Sequence, residues 1–229
     1  MKIIAANLKA NHTPQSTLAY LATLQTELDN IAHAKAYQII VFPNQASLTY
    51  NNYKNFEIGT QNAYPIQNGA FTGEIGQEVL QSLQIKYIML GHSERRKILG
   101  ESNLMIVEKF RFFMESNMRI MLCIGEDSNI NNVKDFLESQ LENIDLSYPL
   151  LTIAYEPLWA IGSGKTPSLD NIANAMDILK KLGVKKALYG GSVKQDNITQ
   201  ICAITDGVLI GGSSLCPKSF AKMIAAVNI

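Results

Sequence analysis

Residues Leu151–Tyr189 read LTIAYEPLWAIGSGKTPSLDNIANAMDILKKLGVKKALY. The segment opens on a short run, Leu151–Tyr155, too continuous in apolar and β-branched character for a strand with one wet face. Ser168-Leu169-Asp170 then reads as a helix start, followed by Ile172, Ala175, Met176 and Leu179 on one helical face and Gly183 as the stop. A second buried-type run, Lys186–Tyr189, comes next. Strand, helix, strand in that order is the unit of a parallel sheet covered by helices.

Working outward, similar runs recur at Lys2–Asn7, Gln38–Phe42, Phe56–Gln61, Lys86–Leu90, Arg119–Ile124 and Gly207–Ile210. Helical patterns lie between most of them. Thr13-Pro14 is a capping residue with proline at the first helical position, opening a stretch with Leu18, Leu21, Leu24 and Leu28. Ser102 is placed to cap a helix carrying Leu104, Val107, Phe110 and Phe113-Met114, and Val133–Leu141 and Pro217–Val227 read the same way. Eight strands alternating with helices predict a parallel α/β fold in one domain spanning residues 1–229, without a low-complexity tract or linker. The competing architecture is an open doubly wound sheet, but no GxGxxG follows the first strand.

The 229 residues are 47% hydrophobic and 17% charged, enough apolar material for one sizeable core. Lys plus Arg and Asp plus Glu each total 20. That balance gives no electrostatic reason to expect nucleic acid or a membrane surface as a partner, so affinity for an anion must come from local geometry. Cys123, Cys202 and Cys216 are odd in number and lack CxxC spacing, which points to a reducing cytoplasm rather than a disulfide framework. The opening MKIIAANLKAN is too short for a signal-peptide core, and no stretch approaches the roughly 18 apolar residues of a membrane span.

Polar residues and glycines collect where the strands run out. Asn7 and Lys9 follow the first, His92 the fourth, Glu156 the sixth, Gly190, Gly191 and Ser192 the seventh, and Gly211 and Gly212 the eighth. In a parallel barrel those ends form the reactive face. Taken singly, Lys9 is a loop lysine, Glu156 a surface carboxylate, His92 a hydrogen-bonded structural histidine and the glycines ordinary turns. The set of glycines from adjacent loops is better explained as a phosphate cradle, because backbone N–H groups can approach an anion there. His12 and His33 lie in or beside the first helix and are given no role.

The segments NLKAN, QNAYPIQNGAFTGE, GHSERR, CIGE, AYEPLWAIGSGK, YGGSV and DGVLIGGSSL, in this order from Asn7 to Leu215, resemble those of the triosephosphate isomerase family. The resemblance implies an eight-stranded (β/α) barrel of that type, interconverting dihydroxyacetone phosphate and D-glyceraldehyde 3-phosphate through an enediolate, with no cofactor and no metal. It implies Glu156 as the base, His92 as a neutral electrophile, and Lys9 with Asn7 beside the substrate, with Glu94 as the acidic neighbour of the lysine. Asn7, Leu8, Lys9, Gly162, Ser192, Gly211 and Gly212 are the implied substrate contacts, and Pro157–Thr166 the implied lid. The long loop Asn62–Glu74, with Tyr64 and Phe71, implies docking into a second copy near its first-strand lysine, hence a homodimer in which Thr72 and Glu74 take part. Leu8 and Ala10 depart from the usual residues flanking Asn7 and Lys9, and Glu126–Asp135 is shortened. Competing readings are a phosphosugar aldolase using a lysine Schiff base and a phosphate-binding barrel without catalysis.

Overall fold

Consecutive side chains of a strand leave on opposite sides, and β1 (Ile3–Asn7) buries both. Ile3 and Ala5 pack inward with Ile40, Phe42, Met89, Met121, Cys123 and Leu209, while Ile4, Ala6 and Leu8 join the larger apolar layer beneath the helices. A computed structural model describes residues 1–128, 130, 132–160 and 167–227. After β1 come β2 (Gln38–Phe42), β3 (Glu57–Thr60), β4 (Tyr87–Leu90), β5 (Arg119–Ile124), β6 (Leu151–Tyr155), β7 (Ala187–Tyr189) and β8 (Gly207–Ile210), each within one residue of its expected bounds. All pair in parallel in chain order, and β1 also pairs with β8 through Ile3–Gly207 and Ile4–Val208. That last pairing closes the barrel and excludes the open sheet. Gly59 in β3 admits the ring of Phe42 to the interior, since a β-carbon there would stand 2.3 Å from the ring.

Local chemistry explains the helices. In α1 (Pro14–Asp29), Thr13 and Ser16 exchange capping hydrogen bonds and Pro14 takes the first helical position. Its buried face carries Thr17, Tyr20, Leu21, Leu24 and Leu28, each buried leucine contributing roughly 1.5–3 kcal/mol. Ser102 caps α4 (Asn103–Glu115) and Ser168 caps α6 (Leu169–Lys181), each accepting a backbone N–H three residues on. α5 (Val133–Leu141) and α8 (Pro217–Ala226) complete the expected set, and the short α3 (Ser93–Lys97) opens just after β4.

Two residues expected on apolar faces are on the surface. Leu18 is 53% exposed because the buried face of α1 runs through Thr17, Leu21, Leu24 and Leu28, and Leu18 is turned about 100° away from Thr17. Leu104 is 76% exposed because the inward face of α4 begins only at Ile106 and Val107. α2 (Gln77–Ser82) and α7 (Ile198–Ile204) had no sequence expectation. Both are short and neither has a side-chain hydrogen bond at its N-cap, so the usual start signal is missing. No helix among the described residues is long and apolar enough to cross a membrane.

Candidate active site

The parallel barrel brings all eight strand C-termini to one face. There Asn7, Lys9, His92, Glu156, Ser192, Gly211 and Gly212 line a single cavity of about 300 Å³. Segments far apart in sequence are thus delivered to one place by strand closure. Leu8, expected among the substrate contacts, is fully buried in the outer core and does not line the cavity. The strand's alternation sends Asn7 and Lys9 one way and Leu8 the other. Leu158–Ala160 form a 3-10 turn at the start of the expected lid, whereas Gly162 and the rest of the lid to Thr166 lie outside the described residues.

Glu156 directly follows β6, and its amide donates to Ile124 O at 2.7 Å, so the barrel itself anchors the residue. Its side chain is 3% exposed. One carboxylate oxygen accepts from the Ser93 amide at 3.3 Å, and the other lies 3.2 Å from Nε2 of His92. Nδ1 of His92 accepts the Glu94 amide at 3.3 Å, at the opening of α3. In the neutral ring, Nδ1 is therefore the acceptor and Nε2–H the donor. Burial works against protonation of the ring, but the Glu156 and Glu94 carboxylates outweigh it and lift the His92 pKa above its ordinary value.

Lys9 has a left-handed backbone, φ 52°, stabilised by its amide donating to Asn7 Oδ1 at 3.0 Å. The side-chain amide of Gln61 donates to Lys9 O and Phe42 O, both at 2.9 Å, so the end of β3 holds the turn. Nζ of Lys9 lies 2.5 Å from Glu94 Oε1. A fixed cation therefore stands at the cavity beside the His92 ring, oriented by the same α3 residue whose amide meets that ring.

Several participants escaped the sequence reading. Gln61 opens the quoted segment QNAYPIQNGAFTGE and ends the third expected strand but was given no role, yet it ties the Lys9 turn. Lys194, Val193 and Ser213 also line the cavity; the last two stand in the quoted YGGSV and DGVLIGGSSL, but none of the three was given a role. Arg96, in the quoted GHSERR, donates to Gly91 O at 2.7 Å and Cys123 O at 3.1 Å, fastening the ends of β4 and β5 together. The Cys123 thiol is fully buried; that burial and the nearby Glu156 carboxylate push its pKa well up, consistent with a packed strand-end residue. In the shortened region, Glu126 is buried and accepts the Tyr155 hydroxyl at 2.8 Å.

The loop Asn62–Glu74 leaves β3 from a buried start. Lys109 donates to Asn62 Oδ1 at 2.9 Å and is ion-paired to buried Glu101, which also accepts from Arg95 at 3.1 Å. Beyond it the Tyr64 and Phe71 rings pack at a tilt of 32° with centroids 4.4 Å apart, and Phe71, Thr72 and Glu74 are exposed. Among the described residues no group of three or more His, Cys, Asp or Glu side chains is arranged to hold a metal ion.

The triosephosphate isomerase family model matches residues 2–227. The chain is 42% identical over 233 residues to the triosephosphate isomerase of Helicobacter hepaticus, covering 99% of each protein. It is 45% identical over 231 residues to that of a Sulfurovum species, covering 98% of this chain and all of the relative. The enzyme of Wolinella succinogenes is 45% identical over 234 residues, with 98% and 100% covered. The chain belongs to the triosephosphate isomerase family, the isomerases that interconvert dihydroxyacetone phosphate and D-glyceraldehyde 3-phosphate in glycolysis.

Proposed function

We propose that Glu156 is the base of this isomerisation, carrying a proton between C1 and C2 of the triose phosphate through an enediolate. The observation that carries the reading is the convergence of a buried carboxylate and a buried imidazole, 3.2 Å apart, on a cavity whose far wall is glycine-rich. A carboxylate in water is a weak base, and a site that excludes water makes it a stronger one. To reach a substrate carbon the carboxylate leaves the Ser93 amide. Gly190 leaves room beside it, since a β-carbon there would lie 2.8 Å from Glu156 Cγ.

His92 then donates Nε2–H to the substrate oxygen. While Glu156 sits against the ring it raises the His92 pKa. Once the carboxylate has moved to the substrate, that attraction weakens and the Glu94 amide at Nδ1 continues to favour the neutral ring. Lys9, oriented by Glu94, and Asn7 stabilise the developing oxyanion. Ser192, Gly211 and Gly212, with Gly162 from the lid, hold the phosphate. Ser192 Oγ donates to Ala160 O at 2.7 Å, which joins this cradle to the start of the lid.

The functional unit in this reading is a cytoplasmic homodimer in which the Asn62–Glu74 loop docks beside Lys9 of the second copy. The exposed Phe71 over a buried, hydrogen-bonded loop base supports it. Sedimentation of wild type and Phe71→Glu tests it: the variant should shift to monomer, and a monomeric wild type would overturn it. A coupled assay comparing wild type with Glu156→Gln tests the chemistry. Turnover should fall by about 10³-fold or more while inorganic phosphate still competes. Unchanged turnover in the variant would remove Glu156 from its role, and a folded wild type without turnover would leave a phosphate-binding barrel.

A further inference from the structure

His12 lies in the loop between β1 and α1 with a left-handed backbone, φ 69°. Glycine would occupy such a conformation without penalty, whereas a β-carbon is disfavoured there. What the position holds instead is an imidazole with specific partners. Nε2 lies 3.1 Å from Leu215 O, and the ring is tilted against Tyr20 at 5.5 Å. Tyr20 donates its hydroxyl to Ser214 O at 2.7 Å, and Ser214 Oγ reaches Ile210 O at 3.0 Å and Gly211 O at 2.7 Å. On the other side, the Asn44 side-chain amide donates to Asn11 O and His12 O at 3.0 and 2.8 Å.

These contacts converge on the short turn Gly212–Ser214 after β8, whose glycine, with Gly211, lines the cavity. His12 itself is not part of the cavity wall. A strained backbone persists where its surroundings over-determine it, and such strain clusters at functional elements. We propose that His12 is a positioning residue: through Leu215 O, and with Tyr20, it holds the Gly211–Ser214 turn in register with the Lys9 strand end and so presets the phosphate cradle. The inference rests on Gly211 and Gly212 being that cradle.

The test measures kcat and KM for D-glyceraldehyde 3-phosphate and the inhibition constant of inorganic phosphate in four variants. His12→Phe keeps a ring against Tyr20 but removes the hydrogen bond, and His12→Gly removes both while relaxing the backbone. Both should raise KM and the phosphate constant about three- to tenfold, the range of one hydrogen bond, with kcat within about twofold. His12→Gln, whose Nε2 reaches equally far, should remain near wild type, and His12→Gly should melt no lower than His12→Phe. Unaltered KM and phosphate inhibition in His12→Phe and His12→Gly would overturn the proposal, as would a loss carried by kcat instead. Gly212→Ala separates the two layers, because a β-carbon there meets nothing within 4 Å in the fold. If phosphate inhibition is unchanged in Gly212→Ala, the cradle reading fails; if it weakens there but not in His12→Phe, only the role of His12 falls.

Discussion

Nε2 of His92 lies 3.2 Å from Oε1 of Glu156, and both side chains are almost wholly buried. His92 follows β4 and Glu156 follows β6, and both strands pair with β5, so their contact depends on the order of strands in the sheet. It also couples their protonation, because a carboxylate at this distance favours imidazolium while burial opposes it.

In the ligand-free enzyme His92 should therefore titrate above about 6.5, the ordinary value, when followed by NMR. Glu156→Gln removes the main raising partner, leaving burial dominant, and the titration should move down. Because the folded pKa exceeds the unfolded one, the stabilisation is complete below about pH 6.5 and is lost as pH rises through the folded value. The melting-temperature advantage of wild type over Glu156→Gln should shrink across that window. An advantage that grew with pH would contradict the coupling.

Gly190 and Gly125 both leave room for Glu156 that a β-carbon would take away, in different ways. A β-carbon at Gly190 would meet the movable Glu156 Cγ at 2.8 Å, whereas one at Gly125 would meet the Glu156 backbone oxygen at 1.8 Å. Gly190→Ala should fold and lose about 10–100-fold in kcat through misplacement of the carboxylate. Gly125→Ala should instead lose about 1–3 kcal/mol of stability, read by urea unfolding, because a backbone cannot step aside.

Replacing Lys9 by Met should reduce kcat/KM by about 10²–10³-fold, since an electrostatic contact to the developing charge is removed. Glu94→Gln keeps the Lys9 cation but releases its 2.5 Å partner, and its loss should stay within about tenfold. Steady-state kinetics of the two variants under one salt condition decide this. An equal loss in both would mean that Lys9 acts only as half of the pair.

The buried pair Lys109–Glu101 gives a stability prediction free of the active site. Lys109→Met leaves the Glu101 carboxylate with Arg95 as its remaining ion-pair partner among the described residues and strips Asn62 of a donor; it should cost about 3–5 kcal/mol in chemical denaturation. Replacing Glu101 by Leu in the same chain should recover a large part of that cost, because the uncompensated buried charge is then gone.

Much of this was legible in local patterns. Apolar runs marked all eight strands to within a residue, and Ser102, Ser168 and Thr13-Pro14 marked three helix starts, because capping chemistry operates over three or four residues. α2 and α7 lack such caps and left no comparable mark. Motif order pointed to Asn7, Lys9, His92, Glu156 and the glycine turns, since the residues after strands share one face whenever the strands are parallel.

Which neighbours those residues meet was another matter. Leu8 and Lys9 are adjacent in sequence, yet one is sealed in the outer core and the other faces the cavity. Gln61, His12 and Arg96 act through carbonyls on distant strands and turns, which no local spacing records. The sequence by itself determined the alternation of strands and helices and the polar residues at strand ends, because periodicity and capping are short-range. Only the tertiary structure decided the Glu156–His92 contact, the Lys9–Glu94 pair and the tie between His12 and the β8 turn. Those depend on pairings between strands distant in sequence: β5 between β4 and β6 sets Glu156 beside His92, β1 against β8 brings His12 to the turn after β8, and the closed ring of strands places Lys9 and Glu94 at one mouth.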